Sequence, residues 1–424
     1  MKMISEITVR VKSGGFLSFI EDIQEHNCSI QRLNCIEKGD DREVYVIDLV
    51  YENRELFSDF VHAGGKKYKI EGVSNVLEEK IRGGLITTAG KIPFETYNDY
   101  QINLLGATEL MYEKIREGRG RDYTGICRNI GIISGIKAER EDEDDMRMKL
   151  HVLSELAAVV INRFSGFNAF PAIVRFQQPE DLIKIIQSVE NSFTALKLVY
   201  VDEADISFYS QIKSDLSIPV ISDEIDIVPI YLLTMILKMF KKNKISPSDT
   251  TIGLLGVDTG AIRLTQLLVK LGCMRVLGYD HNEKSLLSFE HMEGLATTAD
   301  NIFTNADIVV LLKENFSREE FQKARPGQCI VSLIGEDHYD RDFIAGRGVR
   351  DYISINKNDM LTLVPGLMKG IIDSSNKTLD DLRMIEFCRK LVNVAYDDYS
   401  MPDAFSDIHS IVSDLISPAV MHRV

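Results

Sequence analysis

"IGLLGVDTGAIRLTQLLVKLG", Ile252 to Gly272, reads as an apolar strand, a glycine-bearing turn and a helix. A parallel α/β unit that carries a dinucleotide begins this way, because the turn sets the pyrophosphate on the N-terminus of the next helix. Gly256 fits the first glycine position, which makes the turn. Ala261 fits the third, where the helix packs on the sheet. Asp258 takes the second, where a bare backbone normally approaches phosphate, and it adds bulk and negative charge there. Gly260 restores some freedom but leaves the charge. "MRVLGYD" supplies a second strand ending at Asp280, about where an acid holds the adenosine ribose hydroxyls. "NADIVVLL" and "QCIVSLIG" supply later strands. The second half is therefore expected to be a Rossmann-type domain with a parallel sheet, NAD(P)-binding in type, whose affinity for NAD is weakened. The plainer alternative is a structural βαβ unit in which Asp258 caps the helix.

The rest of the chain agrees with a large α/β protein. Its 424 residues are too many for one ordinary domain. A net charge of −15 argues against nucleic acid or an anionic membrane as partner, since phosphate binding needs a basic face. The six cysteines are scattered without a CxxC pair, which suits reduced thiols in a cytoplasm. Neither a signal pattern nor an uncharged apolar stretch of membrane-spanning length is present, so a cytoplasmic location is expected.

The N-terminal stretch alternates. "EITVRV" is a period-2 strand, Ser13-Gly14-Gly15 a turn, and "FLSFIEDIQEH" an amphipathic helix. "CSIQRLNCI" and "REVYVIDLVY" read as strands, "NRELFSDFVHAG" as a helix ending at Gly64, and "KKYKIEGVSNV" as a last strand. The order βαββαβ is that of a ferredoxin-like sandwich. Leu77 to Lys114 looks irregular. Strand and helix then alternate through "NIGIISGIK", "AFPAIVRF", "LKLVYVD" and "IPVIS", which implies a mostly parallel sheet. The acidic run Glu139 to Asp145 reads as a solvated loop or helix start. Domains are expected at 1–76, 77–235 and 236–424.

Strand "ITVRV", Gly14, Gly15 and the apolar helix that follows resemble an ACT domain, a small regulatory module. That resemblance implies a small-molecule ligand, such as an amino acid, near Gly14, Gly15 and Phe16. From about Gly90 to Ala395 the chain resembles the malic enzymes. The resemblance rests on "YTGICRNIGIISG", "FSGFNAFP", "SIPVISDE", the Ile252 stretch, "ADIVVLL" and "LTLVPGLMKGIID", in that order. It implies oxidative decarboxylation of malate with NAD(P) and a divalent metal, Mg or Mn, and a homo-oligomer.

Residue by residue, the implied chemistry thins out. The family's lysine base falls on Ala157, with Lys149 two helical turns upstream. Its tyrosine acid falls on Asn103, with Tyr100 the nearest phenol. The adjacent Glu–Asp metal pair falls near Val199 and Tyr200, and a shift of about three residues brings in Asp202 and Glu203. Asp223 and Glu224 align with two family acids, so Glu224 keeps a third metal carboxylate. The substrate amides fall on or beside Asp359 and Met360, with Asn356 and Asn358 close by. The expected function is a malic-enzyme-like protein, impaired in malate chemistry, that senses a metabolite through its ACT-like domain. One alternative is an active NAD(P)- and metal-dependent oxidoreductase on malate or a related 2-hydroxy acid. It would use Asp202, Glu203 and Glu224 for metal, and Lys91, Lys137 or Lys197 as base. Another is a structural subunit pairing with an active homologue.

Overall fold

Strand β1 (Met3–Lys12), helix α1 (Phe16–Glu25), β2 (Ser29–Lys38), β3 (Arg42–Tyr51), α2 (Arg54–Lys67) and β4 (Lys69–Asn75) realise the βαββαβ order. They form one antiparallel sheet ordered β2-β3-β1-β4. The period-2 pattern does the sorting: Ile7, Val9 and Val11 point into the helix-covered core, where Ile47, Phe19 and Phe60 meet them. Helix α2 runs past Gly64, where the sequence suggested a stop. A Cβ at Gly64 would lie 3.1 Å from the Ile70 side chain, so this glycine permits close helix–strand packing rather than ending the helix.

The computed structural model describes residues 3–75, 83–86, 95–313, 319, 322–334, 346–374 and 377–417. The chain divides into two units, Met1–Ala89 and Gly90–Val424.

The second unit holds two parallel sheets. The first comprises β5 (Asn129–Lys137), β6 (Asn168–Phe176), β7 (Ala195–Val201) and β8 (Val220–Ser222), ordered β6-β5-β7-β8. Helices α4 (Glu143–Phe164), α5 (Pro179–Val189) and α6 (Ile206–Asp215) form its crossovers. The expected irregular stretch is in part helical: α3 covers Gly106–Arg116, with apolar residues but none buried. The acidic run opens α4, whose first turn carries Glu143, Asp144 and Asp145 where the helix dipole favours them.

Helix α7 (Val228–Asn243) links this sheet to the next, and ten of its side chains are buried. The second sheet is ordered β11-β10-β9-β12-β13-β14 and is parallel throughout. It is built from β9 (Thr251–Leu255), β10 (Arg275–Tyr279), β11 (Leu295–Ala296), β12 (Ile308–Leu311), β13 (Cys329–Ser332) and β14 (Asp351–Ser354). β9, β12 and β13 are buried along their whole length, as strands covered on both faces must be. Helix α8 (Thr259–Leu271) follows β9, so the Ile252 stretch is the strand, turn and helix that the sequence suggests.

Candidate functional site

The turn after β9 puts Gly256 at φ +93°, a conformation that glycine adopts without strain. A Cβ there would sit 2.8 Å from the Lys313 side chain, which lies across the turn. Asp258 is the N-cap of α8, and its carboxylate accepts from the Ala261 N–H at 2.8 Å. The helix's anion position is thus filled by the chain's own acid.

Asp280 is turned inward. Its Oδ2 accepts from the Val257 N–H at 2.7 Å and from the Lys313 ammonium, and its Oδ1 accepts from the Asn282 N–H at 2.9 Å. Burial pushes its pKa up, but the Lys313, Asn282 and Val257 bonds outweigh that and hold it below the ordinary carboxylate value. A pyrophosphate laid on this turn meets the Asp258 carboxylate, whose charge opposes it, and a Lys313 ammonium already paired with Asp280.

A second constellation abuts the first. Residues Asp223–Ile227 form a wide helical turn after β8, and the Glu224 carbonyl would lie 3.0 Å from any Cβ at Gly260. Glycine at 260 therefore lets this turn press on the first turn of α8. The turn is pinned by Asp226, which accepts from the Ser222 N–H at 2.8 Å and pairs with Lys213 at 2.7 Å.

Lys197, on β7 in register with Ile221 of β8, has no solvent-exposed side chain, and its ammonium pairs with Asp223. Tyr209, fully buried on α6, donates its hydroxyl to Glu224 Oε2 at 2.9 Å. Burial raises the Glu224 carboxyl to about 7, the nearby Asp258 and Asp223 charges push the same way, and only the Tyr209 bond opposes them. A carboxyl poised near neutrality against a buried phenol can hold and exchange a proton.

Each member of the expected metal trio has a partner of its own in the structure. Asp202 pairs with Arg140 at 2.7 Å and accepts from Tyr200 at 2.9 Å. Glu203 sits at φ +55° and pairs with Lys137 at 2.7 Å. Glu224 is held by Tyr209. Among the described residues no group of three or more His, Cys, Asp or Glu side chains is placed to hold a metal ion. A divalent metal, which the family resemblance implies, does not fit carboxylates so committed.

Of the expected lysines, Lys137 is spent on Glu203, Lys91 lies outside the described residues, and Lys197 alone of the three is shown to reach the acid-rich turn. Ala157 is buried on α4. Asn103 lies in the helical stretch Tyr100–Leu105. Asp359 lines a cleft of about 370 Å³ beside β14, with Tyr231, Ser354, Asp398, Tyr399 and Asp403. Burial raises its carboxyl.

In the first unit, Gly14 has φ +79° and Phe16 stacks on Tyr45 with ring centroids 4.1 Å apart. A cleft of about 690 Å³ opens at the other end of β1, lined by Ser5, Tyr51, Arg54 and Asn75.

Tyr209 and Lys313 were not among the residues singled out by sequence. Lys313 had a signal, a lysine directly after the apolar run "ADIVVLL"; Tyr209 had none.

Two parallel sheets joined by helix α7, the second of Rossmann type, with an ionisable cluster at the carboxyl end of β8, define an α/β protein of two parallel-sheet layers. No family model matches the chain. It is 18% identical over 413 residues to NAD-dependent malic enzyme 1 of Bacillus subtilis (strain 168), covering 93% of this chain and 92% of that one. To the NAD-dependent malic enzyme of Geobacillus stearothermophilus it is 22% identical over 357 residues, covering 76% and 74%. The solved malic enzyme of Pyrococcus horikoshii Ot3 superposes with a TM-score of 0.67 at 16% identity, covering 82% of this chain and 91% of that one. The NAD-dependent malic enzyme of Thermotoga maritima gives 0.66 at 16%, covering 81% and 99%. The chain is a malic-enzyme-like protein, and the malic enzyme fold is that of its core.

Proposed function

We propose that this chain is a malic-enzyme-like protein whose core is impaired in malate oxidative decarboxylation. Its ACT-like first unit senses a small metabolite. The observation that carries this reading is the self-occupied nucleotide turn: Asp258 caps α8, and Asp280 is consumed by Val257 and Lys313. NAD binding, named in the B. subtilis and G. stearothermophilus relatives, is correspondingly weakened here. The buried Ala157 at the implied base position and the acidic cleft at Asp359, which repels a dicarboxylate, support the same reading. Isothermal titration with NAD⁺ and NADP⁺ tests it: binding in the low micromolar range sinks the proposal.

A second reading rests on Lys197, Tyr209 and Glu224. With Lys197 as base and Glu224 near neutrality, the core would be an oxidoreductase on another 2-hydroxy acid. It predicts that Lys197→Ala abolishes a measurable dehydrogenase activity.

The ligand region of the first unit is assigned to Gly14, Gly15 and Phe16, with an amino acid as the ligand class. Calorimetric titration of the full chain with the twenty amino acids tests that assignment. We also propose a homo-oligomer in the cytoplasm. It is supported by α3, which buries none of its residues and exposes Leu110, Tyr112 and Ile115. Among the described residues no helix is long and apolar enough to cross a membrane. Light scattering gives the oligomeric state, and a monomer would refute that part.

A further inference from the structure

The cleft beside β14 belongs neither to the nucleotide turn nor to the Lys197 cluster. Its volume of about 370 Å³ suits a small ligand. Three carboxylates line it, Asp359 shortly after β14 and Asp398 and Asp403 on a later loop. Asp398 and Asp403 each commit one oxygen to their own loop: Asp398 Oδ1 accepts from the Ser400 N–H at 3.0 Å, and Asp403 Oδ1 from the Phe405 N–H at 2.7 Å. Among the described residues no lysine, arginine or histidine lines the cleft. Lys242, whose ammonium stands 4.5 Å from the Tyr399 ring centroid, is paired with Asp351 at 2.9 Å, and neither residue is part of the lining. The charge left over acts on its surroundings. Burial raises the Asp359 carboxyl, and burial together with the Asp359 charge raises the Tyr231 phenol.

A second, independent feature points to a ligand. Tyr399 lines the same cleft, is only 4% exposed, and its hydroxyl is buried without a hydrogen-bond partner. The Ser354 hydroxyl, also on the lining, is buried and unpartnered too. Leaving a buried hydroxyl unpaired is costly, so two on one cleft call for a group that pairs them. The acids do not converge on a point: among the described residues no three such side chains are placed to hold a metal ion. An extended cation fits where a point charge does not. An ammonium brings three donors and no acceptor, which matches carboxylates and hydroxyl lone pairs. Ile355 and Met401 give the lining the apolar surface that methylenes need.

We infer that this cleft binds an aliphatic diamine, whose ammonium groups donate to its carboxylates and to the Tyr399 and Ser354 hydroxyls. The inference builds on the reading of a core that does not take malate, since the charge that attracts a diamine repels a dicarboxylate.

The test is calorimetric titration of the full chain with 1,4-diaminobutane at physiological ionic strength, where unspecific attraction to an acidic surface is screened. Wild type is expected to show one saturable site that excess Mg²⁺ does not displace. Asp359→Asn should lose at least tenfold in affinity. Tyr399→Phe should lose at least fivefold while unfolding, without diamine, no lower than wild type, because it deletes an unpaired hydroxyl. If Asp359→Asn does not fold, Asp403→Asn takes its place.

No saturable binding at millimolar diamine would overturn the inference, as would binding that Mg²⁺ displaces or that the folded variants leave unchanged. Malate turnover by a chain that also binds diamine would sink the impaired-core reading and leave this one standing. A chain that neither turns over malate nor binds diamine would do the reverse.

Discussion

Replacing Glu224 by Gln removes a titration while keeping the acceptor for the Tyr209 hydroxyl. The wild-type carboxyl is raised from its ordinary 4.5 to about 7 by burial, with Asp258 and Asp223 adding to it. The folded state therefore holds a proton over an interval in which the unfolded chain has lost it. Stability must then fall as pH rises from about 4.5 through about 7, with the full penalty present above that. The interval corresponds to about 3 kcal/mol. Residual exposure of Glu224 reduces the expected effect to about 2 kcal/mol, since water screens part of the burial cost. Glutamine is neutral throughout and escapes the penalty. Urea unfolding at pH 5 and pH 8 measures the effect. The variant should match wild type at pH 5 and exceed it by about 2 kcal/mol at pH 8. A variant that is no more stable than wild type at pH 8 refutes both the placement of Glu224 and its cause.

The other predictions concern the nucleotide turn and the first unit. Asp258→Gly should cost only a few tenths of a kcal/mol as a cap and raise NAD⁺ affinity at least tenfold, read by titration calorimetry. Lys313→Met strands the Asp280 carboxylate, only 6% exposed, and should destabilise the core by about 3 kcal/mol in urea unfolding. In wild type the depressed Asp280 contributes stability that is present above the ordinary carboxylate range and lost in acid, so Lys313→Met should flatten the acid limb of the stability profile. Gly14→Ala, at φ +79°, should cost about 1 kcal/mol in thermal unfolding of the first unit, a strain no repacking relieves.

Periodic features were the most legible in sequence. The alternation of Ile7, Val9 and Val11 announces β1, and the wholly apolar runs at β9 and β12 announce buried parallel strands. Asp258 announced itself twice, as a misfit in a phosphate turn and as a cap, and the cap is what the structure has. Where packing decides, local rules say less. Gly64 reads as a helix stop, but its missing side chain serves the contact with Ile70. Asp280 reads as a ribose ligand from its position at a strand end. Its inward pairing depends on Lys313, thirty-three residues on, which no spacing rule links to it. Asp202 and Glu203 read as a metal pair only through a family alignment shifted by about three residues, and the ion pairs they make with Arg140 and Lys137 come from a neighbouring strand end. Lys197 entered from sequence only as one of three candidate bases, and its partner Asp223 emerges only once β7 lies beside β8.

The central claim is that the core does not carry out malate oxidative decarboxylation. Absorbance at 340 nm, with purified chain, saturating L-malate, Mn²⁺ and either NAD⁺ or NADP⁺, tests it most directly. The account predicts no turnover above background with either nucleotide. Steady reduction of either one at ordinary enzyme rates would contradict it.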